Sequence, residues 1–95
     1  MFTPTYDFAV STIKALAADR NYPKCYDCNS VAIRDNRRIS VWENSTGTHL
    51  CLMRMQKNGI GTEFARMDIP ATATAADIVA MFDNLNSVKF RRTIA

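Results

Sequence analysis

The chain has 95 residues, of which 47% are hydrophobic and 22% are charged. This composition is typical of a globular protein and excludes bulk disorder, and the length suits one domain, which we expect to span residues 1–95. The net charge of +3 excludes an acidic mimic of DNA and does not by itself indicate a nucleic-acid binder. No apolar run is long enough for a membrane span, and the first residues lack the pattern of a secretory signal, so we expect a cytoplasmic protein.

Two segments have the periodicity of helices. The first is predicted over Pro4–Arg20, with Thr3 as its N-cap. Its apolar stripe consists of Tyr6, Ala9, Val10, Ile13, Leu16 and Ala17. The second is predicted to begin after Thr74, where Asp77 completes a capping box, and to end at about Leu85.

Four runs between the helices alternate apolar and polar residues, which predicts an antiparallel sheet. The runs are 31–33, 37–42, 49–55 and 62–69. We expect a two-residue hairpin turn at Asn58-Gly59, because this dipeptide suits the left-handed conformations of such turns. The predicted cross-strand pairs are Val31 with Val41, Ile33 with Ile39, Trp42 with His49, Leu50 with Met67 and Arg54 with Glu63.

These pairs put an almost wholly aliphatic set of side chains on one face of the sheet. The set is Val31, Ile33, Ile39, Val41, Leu50, Leu52, Ala65, Met67 and Ile69. Two helices with apolar stripes match such a face, so the predicted fold is α+β: a four-stranded antiparallel meander with both helices packed on one face, in the order α-β-β-β-β-α. The C-terminal tail, residues 87–95, could add a short edge strand, cover the other face or end as a loose basic segment.

The other face mixes aromatic, methionine and arginine side chains, the types that are enriched at protein interfaces. The candidate partner-binding residues are Trp42, Phe64, Met53, Met55, Arg34, Arg38 and Arg66. No catalytic motif is present, so we predict a small non-enzymatic protein-binding module, with self-association as a homodimer left open. Small size without catalytic chemistry favours an inhibitor of a host protein complex, of the kind that phages and mobile elements carry.

Two alternatives remain open. Aromatic and basic sheet faces also bind single-stranded nucleic acids. The candidate phosphate contacts are Arg37, Arg38, Arg91 and Arg92. The third reading is a zinc-stabilised domain, in which Cys25, Cys28, His49 and Cys51 would supply a tetrahedral set of ligands. Since isolated cysteines are more often buried hydrophobic residues, we expect no cofactor.

An enzyme is not expected. His49 and Asp68 should lie opposite each other with Cys51 alongside. Catalytic sites with a base, a carboxylate that orients it and a nucleophile contain the same three residue types. However, His49 and Cys51 should project in parallel from one strand, and no glycine-rich loop accompanies them to form an oxyanion hole.

Overall fold

The computed structural model describes residues 3–90, which form two helices and one antiparallel sheet with the strand order β1-β2-β3-β4. The elements are α1 (Pro4–Asp19), β1 (Ser30–Arg34), β2 (Arg37–Asn44), β3 (Gly47–Met55), β4 (Gly61–Ile69) and α2 (Ala75–Asn86). This confirms the predicted α+β fold and its order of elements. Among the described residues, neither helix has the length and apolarity that crossing a membrane requires.

Both helices begin where the sequence predicted a cap. Thr3 Oγ1 accepts a hydrogen bond from the Tyr6 N–H at 3.2 Å. In α2, Thr74 Oγ1 accepts from the Asp77 N–H at 3.1 Å, and Asp77 Oδ2 accepts from the Thr74 N–H at 2.9 Å. These bonds satisfy N–H groups that have no partner within the helix, which fixes where each helix starts.

The two helices pack on one face of the sheet and form a single core with it. Its buried members are Tyr6, Ala9, Ile13, Val31, Ile39, Val41, Leu50, Leu52, Ile69, Ile78, Phe82 and Leu85. Ile33, Ala65 and Met67 are partly buried against this core, so all nine residues of the predicted aliphatic face lie on the helix side. The opposite face of the sheet carries no helix, and its side chains are the candidates for function.

The register between β1 and β2 differs from the prediction. Val31 pairs with Ile39 rather than with Val41, because the connecting turn contains only Asp35 and Asn36 and is shorter than expected. The register shifts at Ile33, where one extra residue of β1 forms a bulge. Between β2 and β3, the predicted pairs of Trp42 with His49 and Val41 with Leu50 are confirmed.

A second bulge lies in the pairing of β3 with β4, and it changes which side chains lie on the face opposite the helices. The predicted two-residue turn at Asn58-Gly59 is wrong: Met55 pairs with Gly61, the Gln56 N–H donates to Ile60 O, and three residues, 57–59, connect the strands. Gly59 still adopts a positive φ of 86°. The register shifts at Phe64, so the expected pair of Arg54 with Glu63 does not form. Leu50 and Met67, beyond the bulge, pair as predicted.

The described part of the C-terminal tail, residues 87–90, is not a strand. Val88 and Phe90 pack at the edge of the core, on the helix side of the sheet. Neither therefore covers the face opposite the helices. The remaining residues of the tail, 91–95, lie outside the described part of the chain.

Candidate functional site

The sheet face opposite the helices, called the Trp42 face below, contains a shallow cavity. Its central residues are Trp42, His49, Cys51, Met53, Glu63 and Arg66, and together with Glu43 and Asn44 they line a volume of about 250 Å³. Cys51 is 1% exposed and forms part of the floor, whereas Trp42 at the rim is 50% exposed. The face therefore presents half of an indole ring beside a concave surface. Met55 lies two residues beyond Met53 on β3 and is partly buried.

His49 is buried and held on both sides of its ring. Nδ1 lies 2.7 Å from Asp68 Oδ1, and Nε2 lies 3.0 Å from both Asn44 Oδ1 and Thr46 Oγ1. The Thr46 N–H donates to Asn44 Oδ1 at 2.9 Å, which fixes the orientation of that amide. The imidazole thus ties the β2–β3 turn to β4 at the floor of the cavity.

Cys51 has none of the properties of a nucleophile. Burial raises the pKa of its thiol to about 12, and the Glu63 carboxylate adds to this effect by a hydrogen bond and by its charge. At neutral pH the sulfur is therefore protonated, and only a thiolate attacks efficiently. His49 and Asp68 do pair as predicted, but the structure places no accessible thiolate beside them.

Two arginines of the predicted site already have carboxylate partners. Arg66 Nη2 donates to Glu63 Oε2 at 2.9 Å, and this guanidinium holds the pKa of Glu63 below its ordinary value. Arg38 forms an ion pair with Asp27. These pairs leave the rim of the Trp42 face polar but close to electrically neutral.

Phe64 and Arg34 were expected on the Trp42 face, and the structure corrects both. Phe64 is the bulged residue of β4, so its ring turns to the helix side and packs edge-on against Phe90, with the ring centroids 4.9 Å apart. Arg34 follows the bulge in β1 and pairs with Arg37. In both strands, one extra residue moves the side chains beyond it to the face opposite to the one that regular alternation predicts.

Arg37 was a candidate for phosphate contact, and the structure places its side chain inside the protein. Its side chain is 2% exposed. Nη1 donates to Asn86 O at 3.1 Å, Nη2 donates to Val88 O at 2.5 Å, and the guanidinium carbon lies 4.2 Å from the centroid of the Phe90 ring. Arg37 therefore anchors the end of α2. The other two candidates, Arg91 and Arg92, lie outside the described residues.

The four candidate zinc ligands are not brought together. Cys25 lines a cavity beside α1, Cys28 is exposed, and His49 and Cys51 lie on the Trp42 face. Within residues 3–90, no group of three or more His, Cys, Asp or Glu side chains has an arrangement that could hold a metal ion.

The sequence matches no protein-family model, and comparisons with curated proteins and with solved structures gave no significant match.

Sequence reasoning missed Glu63 as a residue of this site. Strict alternation places it on the helix side, whereas the bulge at Phe64 brings it opposite Met53 on the Trp42 face. A bulge of this kind leaves no trace in the pattern of apolar residues. Asn44 was also missed, since it reads as an ordinary turn residue, yet its amide oxygen is a partner of His49.

Proposed function

We propose that this domain is a non-enzymatic protein-binding module that engages its partner through the Trp42 face. The observation that supports this is the half-exposed Trp42 ring beside the cavity that Met53 helps to line. Tryptophan is among the residues that contribute most to binding energy, above all next to a pocket that a partner side chain can fill. Methionine adapts its shape to irregular partners.

The charges around this cavity favour a protein over a nucleic acid. The guanidinium groups of Arg38 and Arg66 are held by carboxylates, so a phosphate would have to compete with an existing ion pair. A protein interface instead needs an apolar centre and a polar rim with satisfied hydrogen bonds. Trp42 and Met53 supply the apolar part of such an interface, and the paired arginines supply its polar rim.

Binding through such a face also fits an inhibitory role. An inhibitor occupies a surface of its target and needs no catalytic group, so blocking of a host protein complex forms part of this proposal. Cys25, Cys28 and Cys51 are free thiols, which suits action in the reducing cytoplasm. The proposal requires no cofactor.

Site-specific photo-crosslinking in lysate of the native host tests the proposal. A photoreactive residue is placed at Ser45, in the turn beside the cavity, or at Ser11, on the outer side of α1. Unlabelled competitors are the wild type, Trp42→Ala and Phe8→Ala. Phe8 is a matched control, because it is an aromatic residue of similar exposure, 44%, on the helix layer.

We expect the Ser45 probe to give a discrete protein adduct that wild type and Phe8→Ala displace and that Trp42→Ala does not. An adduct with a second copy of the chain, matched by a dimer in sedimentation that Trp42→Ala abolishes, would support a self-interface at the same face. If Trp42→Ala, shown by circular dichroism to be folded, competes as well as wild type, the proposal is refuted.

A further inference from the structure

The arginines in the described part of the chain fall into two groups. Three have carboxylate partners, namely Arg20 with Asp83, Arg38 with Asp27 and Arg66 with Glu63. The other three, Arg34, Arg37 and Arg54, have no carboxylate partner within residues 3–90. The three arginines without a carboxylate partner are neighbours in the sheet.

Arg34, Arg37 and Arg54 form a row across three strands at one end of the sheet. Arg34 pairs with Arg37 across β1 and β2, and Arg37 pairs with Arg54 across β2 and β3. Like charges directly opposite each other destabilise a sheet. The only acidic residue of the adjoining turn, Asp35, forms no ion pair with any described residue. An unneutralised row of this kind is a site of positive potential that an anion would stabilise.

The central arginine of the row is unusually placed. Arg37 is buried, its Nε atom has no hydrogen-bond partner within the described residues, and its other nitrogens contact only neutral carbonyls. Burial and the charge of Arg34 both lower the pKa of Arg37. Arg34 and Arg54, on either side of it, are exposed. The positive charge that the row presents to solvent therefore lies on these two side chains.

A cleft of about 520 Å³ adjoins the row, and it contains an aromatic ring. It is lined by Asn36, Arg54, Met55, Gln56, Thr62 and Phe64. Phe64 is 39% exposed, and its contact with Phe90 is edge-on. Asn36 and Gln56 add amide groups, which pair with the hydrogen-bonding edges of nucleobases.

We infer that this end of the sheet is a site for single-stranded nucleic acid, in which a base stacks on Phe64 and the backbone phosphates contact Arg54 and Arg34. An acidic polypeptide would use the arginines but would have no need of the aromatic ring or the amides. Stacking on a side chain requires an unpaired base, which selects a single strand over a duplex. The site shares no residue with the cavity on the Trp42 face, and it does not depend on the function proposed for that face.

Fluorescence anisotropy with a labelled oligothymidylate or oligouridylate about twelve nucleotides long tests this inference. We expect Arg54→Glu to weaken binding at least about tenfold. Lys24→Glu is the matched control, since it makes the same change in net charge on an exposed residue away from the row, and it should weaken binding by less than about twofold. In Arg54→Gln, the slope of log affinity against log salt should fall by about 0.7, as expected for one lost phosphate contact.

Phe64 provides a separate test of stacking. We expect Phe64→Ala to weaken binding about fivefold or more with an unchanged salt slope. Phe64→Leu keeps an apolar contact with Phe90 but offers no ring, so it should weaken binding similarly even if Phe64→Ala is unstable. Trp42→Ala should bind like the wild type.

Three results would overturn the inference. They are the absence of binding at low salt, equal losses in Arg54→Glu and Lys24→Glu, and unchanged affinity in both Phe64 variants. Displacement of the oligonucleotide by polyglutamate, together with unchanged affinity in both Phe64 variants, would identify a site for acidic polypeptides instead.

Discussion

Leu50 and Cys51 are adjacent on β3 and almost equally buried, at 0% and 1% exposure, yet they face opposite sides of the sheet. Leu50→Ala removes three carbons from the core beneath both helices, which we expect to lower the free energy of unfolding by about 3 kcal/mol. Cys51→Ala removes one atom from the floor of the Trp42 face. We expect it to cost about 1 kcal/mol, the value of one buried methylene.

Urea denaturation followed by circular dichroism measures both changes. With an m value of about 1.5 kcal/mol/M, the midpoint should fall by about 2 M in Leu50→Ala and by about 0.7 M in Cys51→Ala. A domain with a typical stability of about 5–15 kcal/mol remains folded without denaturant in both variants. If Cys51→Ala lowers the midpoint as much as Leu50→Ala does, the Trp42 face is packed like a second core, and our assignment of an open binding face is refuted.

Three further predictions concern single groups. Thiol titration of the native protein should modify Cys25 and Cys28 quickly, and Cys51 only after unfolding, because its pKa is raised to about 12; rapid loss of all three thiols would contradict its burial. Thr74→Ala should lower the free energy of unfolding by about 1 kcal/mol through loss of the helix cap, and Thr74→Ser should restore it. The hydrogen bonds with Thr74 lower the pKa of Asp77 below its ordinary value of 3.8. The stability that the Asp77 carboxylate contributes is therefore present above that pH and is lost as the pH falls through the lowered pKa. In Asp77→Asn the stability should change less with pH in this range, and an unchanged curve of stability against pH would refute the role of Asp77 in the cap.

The features that the sequence predicted well are those set by local chemistry or by a continuous pattern. Thr3 and Thr74 are side chains that can reach unpaired N–H groups a few residues away, so the helix starts could be located from neighbouring residues alone. The central pairs of the sheet, such as Val41 with Leu50, follow from alternation over many residues, where a slip would bury polar groups and expose apolar ones. These constraints fixed the core and the face opposite it.

The parts that could not be predicted lie at the two bulges and beyond them. At Ile33 and Phe64 one residue is left out of the pairing, and the alternation beyond it is reversed. A short segment has few apolar residues to reveal such a change, because both registers expose similar numbers of polar groups. The three-residue turn at 57–59 had the same effect, since Asn58-Gly59 suits a two-residue loop equally well. The errors in the candidate site, at Phe64, Arg34 and Glu63, all follow from these positions.

The bulge at Phe64 accounts for the separation of the two surfaces. If the pairing of Leu52 with Ala65 continued without a bulge, Phe64 would lie opposite Met53 on the Trp42 face, and Glu63 would lie opposite Arg54 and neutralise it. The extra residue exchanges these roles: Glu63 pairs with Arg66 beside the cavity, and Phe64 lies beside the unpaired Arg54. One position in β4 therefore makes the Trp42 face electrically neutral and leaves the opposite end of the sheet basic. Deletion of Phe64 would join Glu63 opposite Met53 directly to Ala65 opposite Leu52. It should therefore leave Glu63 on the Trp42 face and remove only the aromatic ring beside Arg54.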